Sequence, residues 1–198
     1  YSKSHGTAIA SLLVSKTYGV APDATLLTYR TRFEDEGEDA AAGCAVRNGN
    51  GIEENNSLIN RAISDGAQII SISSSDKDFD EATKWTIARA NARGVIVVTA
   101  MGNTAKDETD TGLAKWSGVV GVGAIDTTGN VAPYSSSGQG TTTAAVGGPI
   151  IVRNYETGNK ATTDGTSYST PLIAGFLALA KQKWPNATNN QLLQLLSK

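Results

Sequence analysis

Three residues of this 198-residue sequence have side chains suited to acyl chemistry. Ser167 lies in DGTSYSTPLIAGFLALAKQ, directly ahead of a long apolar run, and a serine hydroxyl becomes a nucleophile only when a base takes its proton. One histidine is available for that task, His5 in SHGTAIASLLVSK. Asn103, in GVIVVTAMGNT, carries an amide of the kind that donates to a developing oxyanion. Each also has a purely structural reading. Ser and Thr cap helices by accepting from orphan backbone N–H groups. A histidine before Gly-Thr can simply open a helix, and Gly-Asn is a common turn. Taken singly, none of the three decides between chemistry and structure.

The elements that must position these residues alternate along the chain. Apolar, β-branched runs occur at 24–29 (ATLLTY), 67–73 (AQIISIS), 94–100 (GVIVVTA) and 118–125 (GVVGVGAI). Their near-continuous hydrophobicity predicts strands buried on both faces, as in a parallel sheet covered by helices. Between them, 57–66 places Leu58, Ile59, Ala62 and Ile63 on one stripe and stops at Gly66. Residues 79–94 begin acidic, end with Arg89 and Arg93, and stop at Gly94, which suits the helix dipole. A largely apolar helix is predicted over 167–183, with a shorter one after Pro185 capped near Thr188. The expected fold is α/β, doubly wound, with a mostly parallel sheet and helices on both faces. It forms a single domain over 1–198.

Composition excludes several function classes. The chain is 39% hydrophobic and 18% charged, as a folded globular protein is and a disordered one is not. A net charge of −2 leaves no basic footprint for nucleic acid. No apolar run reaches a membrane-spanning length. One cysteine, Cys44, cannot form an internal disulfide, and with one histidine it cannot build the usual zinc clusters. In its small-residue surroundings Cys44 reads as filler. The acidic stretch within 31–50 reads as a solvated surface loop in preference to a calcium site. The glycines of GVVGVGAID lie inside a strand pattern, against a dinucleotide-binding turn. Ser167 is not in Gly-x-Ser-x-Gly, against an α/β-hydrolase.

Four blocks in order change the weight of the three residues. HGTAIASLLVSKTYGVAPDATLL resembles the histidine block of the subtilisin-like serine peptidases. AQIISIS resembles their substrate-pairing strand, GVIVVTAMGN their oxyanion-asparagine block, and DGTSYSTPLIAG their nucleophile block. The resemblance covers essentially the whole chain. It implies a serine endopeptidase in which Ser167 is the nucleophile, His5 the general base and then acid, and Asn103 an oxyanion donor beside the Ser167 N–H. It further implies that Ser73, Ser74 and Ser75 pair an extended peptide or protein substrate, with Ala100, Met101 and Gly102 at the pocket. No cofactor or metal is implied, and secretion or a cell-surface location is.

The sequence also departs from that pattern. The family's triad acid lies on a strand before the histidine, and no Asp or Glu here matches it. The expectation is therefore a chain incomplete at its N-terminus, with the acid on a preceding segment or another chain. A catalytically impaired, peptide-binding domain is the alternative. Ala8 replaces a second histidine, and Ser74 and Ser75 make the substrate edge more polar. Met101 is bulkier than the usual residue and is expected to narrow the pocket floor. Tyr168 follows the nucleophile where methionine is usual. The short SKTYG link leaves no room for the family's calcium-binding insertion.

Overall fold

The structure is a computed structural model, and it describes residues 5–29, 55–74, 81–109, 112–154 and 157–197. Cys44, the 31–50 stretch and Ser75 lie outside the described residues. In chain order the elements are α1 (His5–Val14), α2 (Asn55–Ser64), β1 (Ile69–Ile72), α3 (Glu81–Ala92) and β2 (Ile96–Ala100). They continue with β3 (Val119–Ile125), β4 (Thr141–Val146), β5 (Ile150–Arg153), β6 (Lys160–Thr163), α4 (Thr166–Lys183) and α5 (Asn189–Leu193). Strands β1 to β4 form a parallel sheet in sequence order, and β5 pairs antiparallel with β6 as a separate hairpin.

The apolar runs become strands because both of their faces are covered. Along β2, Ile96 and Val98 join Val120 and Val122 against Ile173, Ala174, Leu177 and Ala180 of α4. Val97, between them, points the other way with Val119, onto Ile59, Ile63, Ile87 and Ala90 of α2 and α3. This period-two alternation, with helices on each face, is the α/β layering that the pattern predicts. The glycine stops also form as read. Ala67 N–H donates to Ala62 O and Gly66 N–H to Ile63 O, with Gly66 at φ 86°. Val95, Ala90, Gly94 and Asn91 repeat that arrangement at the end of α3. Both are Schellman closures, which need a residue in the left-handed region. Thr188 caps α5 through a reciprocal capping box with Gln191.

One predicted strand does not form. Residues 24–29 run without a ladder partner among the described residues, and Leu26 and Leu27 are 37% and 43% exposed. A strand takes most of its stability from neighbours, so an apolar run without one stays irregular. On the same side, β1 sits at the sheet margin and is paired only with β2 among the described residues. Its four residues are half-buried, whereas β2 is buried throughout.

Helix α4 sets where the nucleophile block lies, and its position depends on a close approach. A Cβ at Gly175 would stand 2.8 Å from Val20 Cβ and 2.9 Å from Val20 Cγ1. Gly175→Ala is therefore expected to destabilise the fold by about 1–3 kcal/mol, the usual overpacking cost. Adding Val20→Ala should recover part of it. Urea unfolding of the two single variants and the double variant checks this, and strict additivity would overturn the packing account.

Candidate active site

Asn103 arises at the carboxyl end of β2, where open α/β sheets place their sites. Met101 N–H still donates to Val122 O of β3, and the chain then turns away at Gly102, with φ 107°. The 102–108 loop is fastened along residues 134–137. Ala105 N–H donates to Tyr134 O, Ser136 N–H to Gly102 O, Ser137 N–H to Lys106 O and Glu108 N–H to Ser137 O. Side chains add to this. Thr104 N–H donates to Ser136 Oγ at 3.1 Å, and the Thr104 hydroxyl donates to the buried Glu108 carboxylate at 2.9 Å. A loop so fully bonded holds its side chains in place.

The nucleophile turn reaches the same point from the other side of the chain. The β5–β6 hairpin delivers Asp164 and Gly165, and α4 starts at Thr166. Gly165 has φ 142°, and its N–H donates to Gly147 O at 2.8 Å, just beyond the end of β4. Ser167 is the second residue of α4, and the helix has Gly165 as its N-cap with no side-chain capping bond. Ser167 is therefore not the capping residue. That service comes from Asn103, whose Oδ1 accepts from Thr166 N–H at 2.8 Å and from Thr166 Oγ1 at 3.0 Å. Thr166 Oγ1 in turn accepts from Gly102 N–H at 3.1 Å.

These bonds orient the Asn103 amide. Its oxygen faces two donors of Thr166, so its NH₂ points the opposite way. The space beside Gly165 shows where. A Cβ placed there would lie 3.2 Å from Asn103 Nδ2 and 3.3 Å from Ser167 Oγ. The Ser167 hydroxyl and the Asn103 amide nitrogen thus flank one small gap, which only glycine leaves open. Ser167 is half-buried and Asn103 exposed, so the gap is accessible. The N–H groups of the first helical turn, lacking intrahelical acceptors, and the helix dipole favour negative charge at the same end.

His5 is the first residue of α1, which packs on the head of α4. Its ring lies 5.6 Å from the Tyr168 ring, centroid to centroid, tilted by 59°. Tyr168 is buried with Ala8, Leu12 and Val152, which fixes α1 beside the residue following Ser167. Burial lowers the His5 pKa from its ordinary 6.5, so the imidazole is neutral at neutral pH.

The expected substrate residues are distributed unevenly. Ser73 and Ser74 continue β1 at its carboxyl end. The Ser73 hydroxyl, like that of Ser71, is buried and has no hydrogen-bond partner among the described residues. Ala100, Met101 and Gly102 are buried. The Met101 Sδ lies 2.7 Å from where a Cβ of Gly121 would be. The missing Cβ on β3 takes up the bulk of Met101. Among the described residues no cluster of His, Cys, Asp and Glu could hold a metal ion. Thr166 and Tyr134 escaped the sequence reading. The first carries a signal in its Gly-Thr-Ser setting, the second none.

Known proteins match this arrangement from end to end. A family profile for Peptidase_S8, the subtilase family, matches residues 1–198. A thermostable alkaline protease of Halalkalibacterium halodurans is 32% identical, over 98% of this chain and 51% of its own. The chain therefore spans about half the length of that relative. Subtilisin DY of Bacillus licheniformis is 28% identical over 98% of this chain and 69% of its own. The solved protease domain of PatA shares the fold, with a TM-score of 0.79 at 24% identity, covering 98% of this chain and 70% of that one. With the family matched over residues 1–198 and the histidine, asparagine and serine blocks in order along it, this chain belongs to the subtilase family of serine peptidases.

Proposed function

We propose that the chain carries the nucleophile, base and oxyanion donors of a serine endopeptidase that works through an acyl-enzyme. The observation behind this reading is the gap beside Gly165, bordered by Ser167 Oγ and Asn103 Nδ2. Ser167 Oγ attacks the scissile carbonyl carbon while His5 takes its proton. The carbonyl oxygen becomes an anion between Asn103 Nδ2 and the Ser167 N–H. Collapse expels the amine, which receives the proton from His5, and water then releases the acid by the same route in reverse. The substrate lies extended along Ser73, Ser74 and Ser75, held by main-chain hydrogen bonds, with Ala100, Met101 and Gly102 lining the pocket.

The carboxylate that orients His5 comes, on this reading, from a segment preceding Tyr1 or from another chain. It enters beside β1, the margin that stays open among the described residues. The protein acts outside the cell or at its surface. Among the described residues no helix is long and apolar enough to cross a membrane. A domain that only binds peptides would need the open edge but not the fixed Asn103 amide, and the amide favours catalysis.

Three outcomes are expected. Ser167→Ala in the full protein should abolish both peptidase activity and labelling by a fluorophosphonate. Retention of either would sink the assignment. Asn103→Asp keeps the acceptors for Thr166 but removes the donor. It should lower kcat by about a hundredfold to a thousandfold, the loss known for a subtilisin's oxyanion asparagine, with little change in KM. Steady-state kinetics on a peptide ester and an amide check it. His5, as the single histidine, gives one imidazole signal to titrate by NMR. In the 198-residue chain its midpoint should fall below 6.5, because burial disfavours the cation. The folded state then loses stability as pH drops through that midpoint. When the preceding carboxylate is present the midpoint should move up, since an anion favours imidazolium. No upward movement would mean that the carboxylate does not reach His5.

A further inference from the structure

We propose that Tyr134 is a positioning residue that clamps the nucleophile turn to the oxyanion loop, using its two oxygens on the two segments. The inference rests on the peptidase reading and adds a residue to it. Tyr134 Oη accepts from Gly165 N–H at 3.1 Å, while Tyr134 O accepts from Ala105 N–H at 2.9 Å. Gly165 stands two residues before Ser167, and Ala105 two residues after Asn103. One side chain and its own carbonyl therefore bridge the segments that border the gap beside Gly165.

Both anchor points are places where the backbone needs holding. Gly165, at φ 142°, is in a conformation that side-chain-bearing residues rarely adopt. Ala105, at φ 55°, is in the left-handed region without being glycine. Such conformations persist when neighbouring bonds over-determine them. The Gly165 N–H is shared between Gly147 O at 2.8 Å and Tyr134 Oη at 3.1 Å, a three-centre bond. Gly147 fixes the turn to β4, and the Tyr134 hydroxyl adds, one residue earlier, to the Thr166 bonds that tie the turn to the Asn103 loop. Tyr134 is itself held. Ser135 N–H donates to Ala132 O, and the buried Ala132 donates to Ala124 O of β3.

Removing the hydroxyl alone isolates this role. In Tyr134→Phe the ring still fills its site, Gly165 N–H keeps Gly147 O, and Tyr134's main-chain bond is untouched. The Ser167 turn then loses one restraint relative to Asn103. Small misplacements of reacting groups cost rate more than binding. In the full protein kcat should fall by about threefold to tenfold, with KM within about twofold, on the scale of one hydrogen bond. The melting temperature should stay near the parent's. The fluorophosphonate labelling rate at Ser167 should fall in step with kcat.

Each result decides. Parent-like kcat and labelling in Tyr134→Phe would overturn the clamp. A loss confined to KM would make Tyr134 a substrate contact, and a loss matched by a large drop in melting temperature would make it merely structural. Either also overturns the proposal. If the unmutated protein neither labels at Ser167 nor cleaves peptides, the peptidase reading itself fails and the clamp with it. That failure is visible before Tyr134 is changed.

Discussion

Thr166 donates twice to Asn103 Oδ1, from its backbone N–H and from its hydroxyl, and so joins two segments 63 residues apart. Without this junction the loop after β2 and the head of α4 would be separate features of one sheet end. With it, the helix gains a cap supplied from outside its own sequence, and the asparagine gains an orientation. One end of the amide meets the capping need of the helix, and the other carries the donor that the proposed oxyanion needs. A helix N-terminus must find acceptors for its first N–H groups. Here that obligation aims an NH₂ group at the gap beside Ser167 Oγ.

Rigid packing stands behind the junction. Helix α4 lies across the sheet, with Leu177 and Ile173 against Ile96, Val98, Val120 and Val122. Strand β2 runs on to Asn103, and β4, whose Ala145 packs on the same core, runs on to Gly147. Helix head and strand ends therefore share one core, and a shift in either would be resisted by close-packed side chains. Small residues allow the closest approaches. Gly147 admits Ser169, whose hydroxyl donates to Ala145 O, and Gly121 admits Met101. Each approach places a hydroxyl oxygen or a sulfur where a methyl group would otherwise stand.

The sequence revealed most where a single segment determines its own state. Strands β2 and β3, the Schellman stops at Gly66 and Gly94 and the cap at Thr188 all follow from local pattern. The run at 24–29 has equal β propensity and forms no ladder among the described residues, because a strand is completed by partners that its own residues do not encode. Ser167 shows the same limit in reverse. Its setting reads as a cap, yet the capping acceptor is Asn103, brought in by tertiary structure. The site residues His5, Asn103 and Ser167 were legible as blocks in order, whereas their supports were not. Nothing in APYSSSG announces that Tyr134 reaches Gly165, since that bond spans 31 residues and depends on where two strands end.

Burial around His5 works in two directions at once. It favours the neutral imidazole, which a proton acceptor requires, and it would make the imidazolium of the proposed attack costly. In the proposed mechanism donors at the helix head stabilise the anion, and an opposing charge near His5 would stabilise the imidazolium. A carboxylate supplies it at the moment when the proton moves, and fixes the ring as well. In the proposed reading an added strand at the β1 margin, open among the described residues, would bring such a group into the fold. On that reading, one extended segment would answer both the electrostatic need at His5 and the β1 margin left open among the described residues.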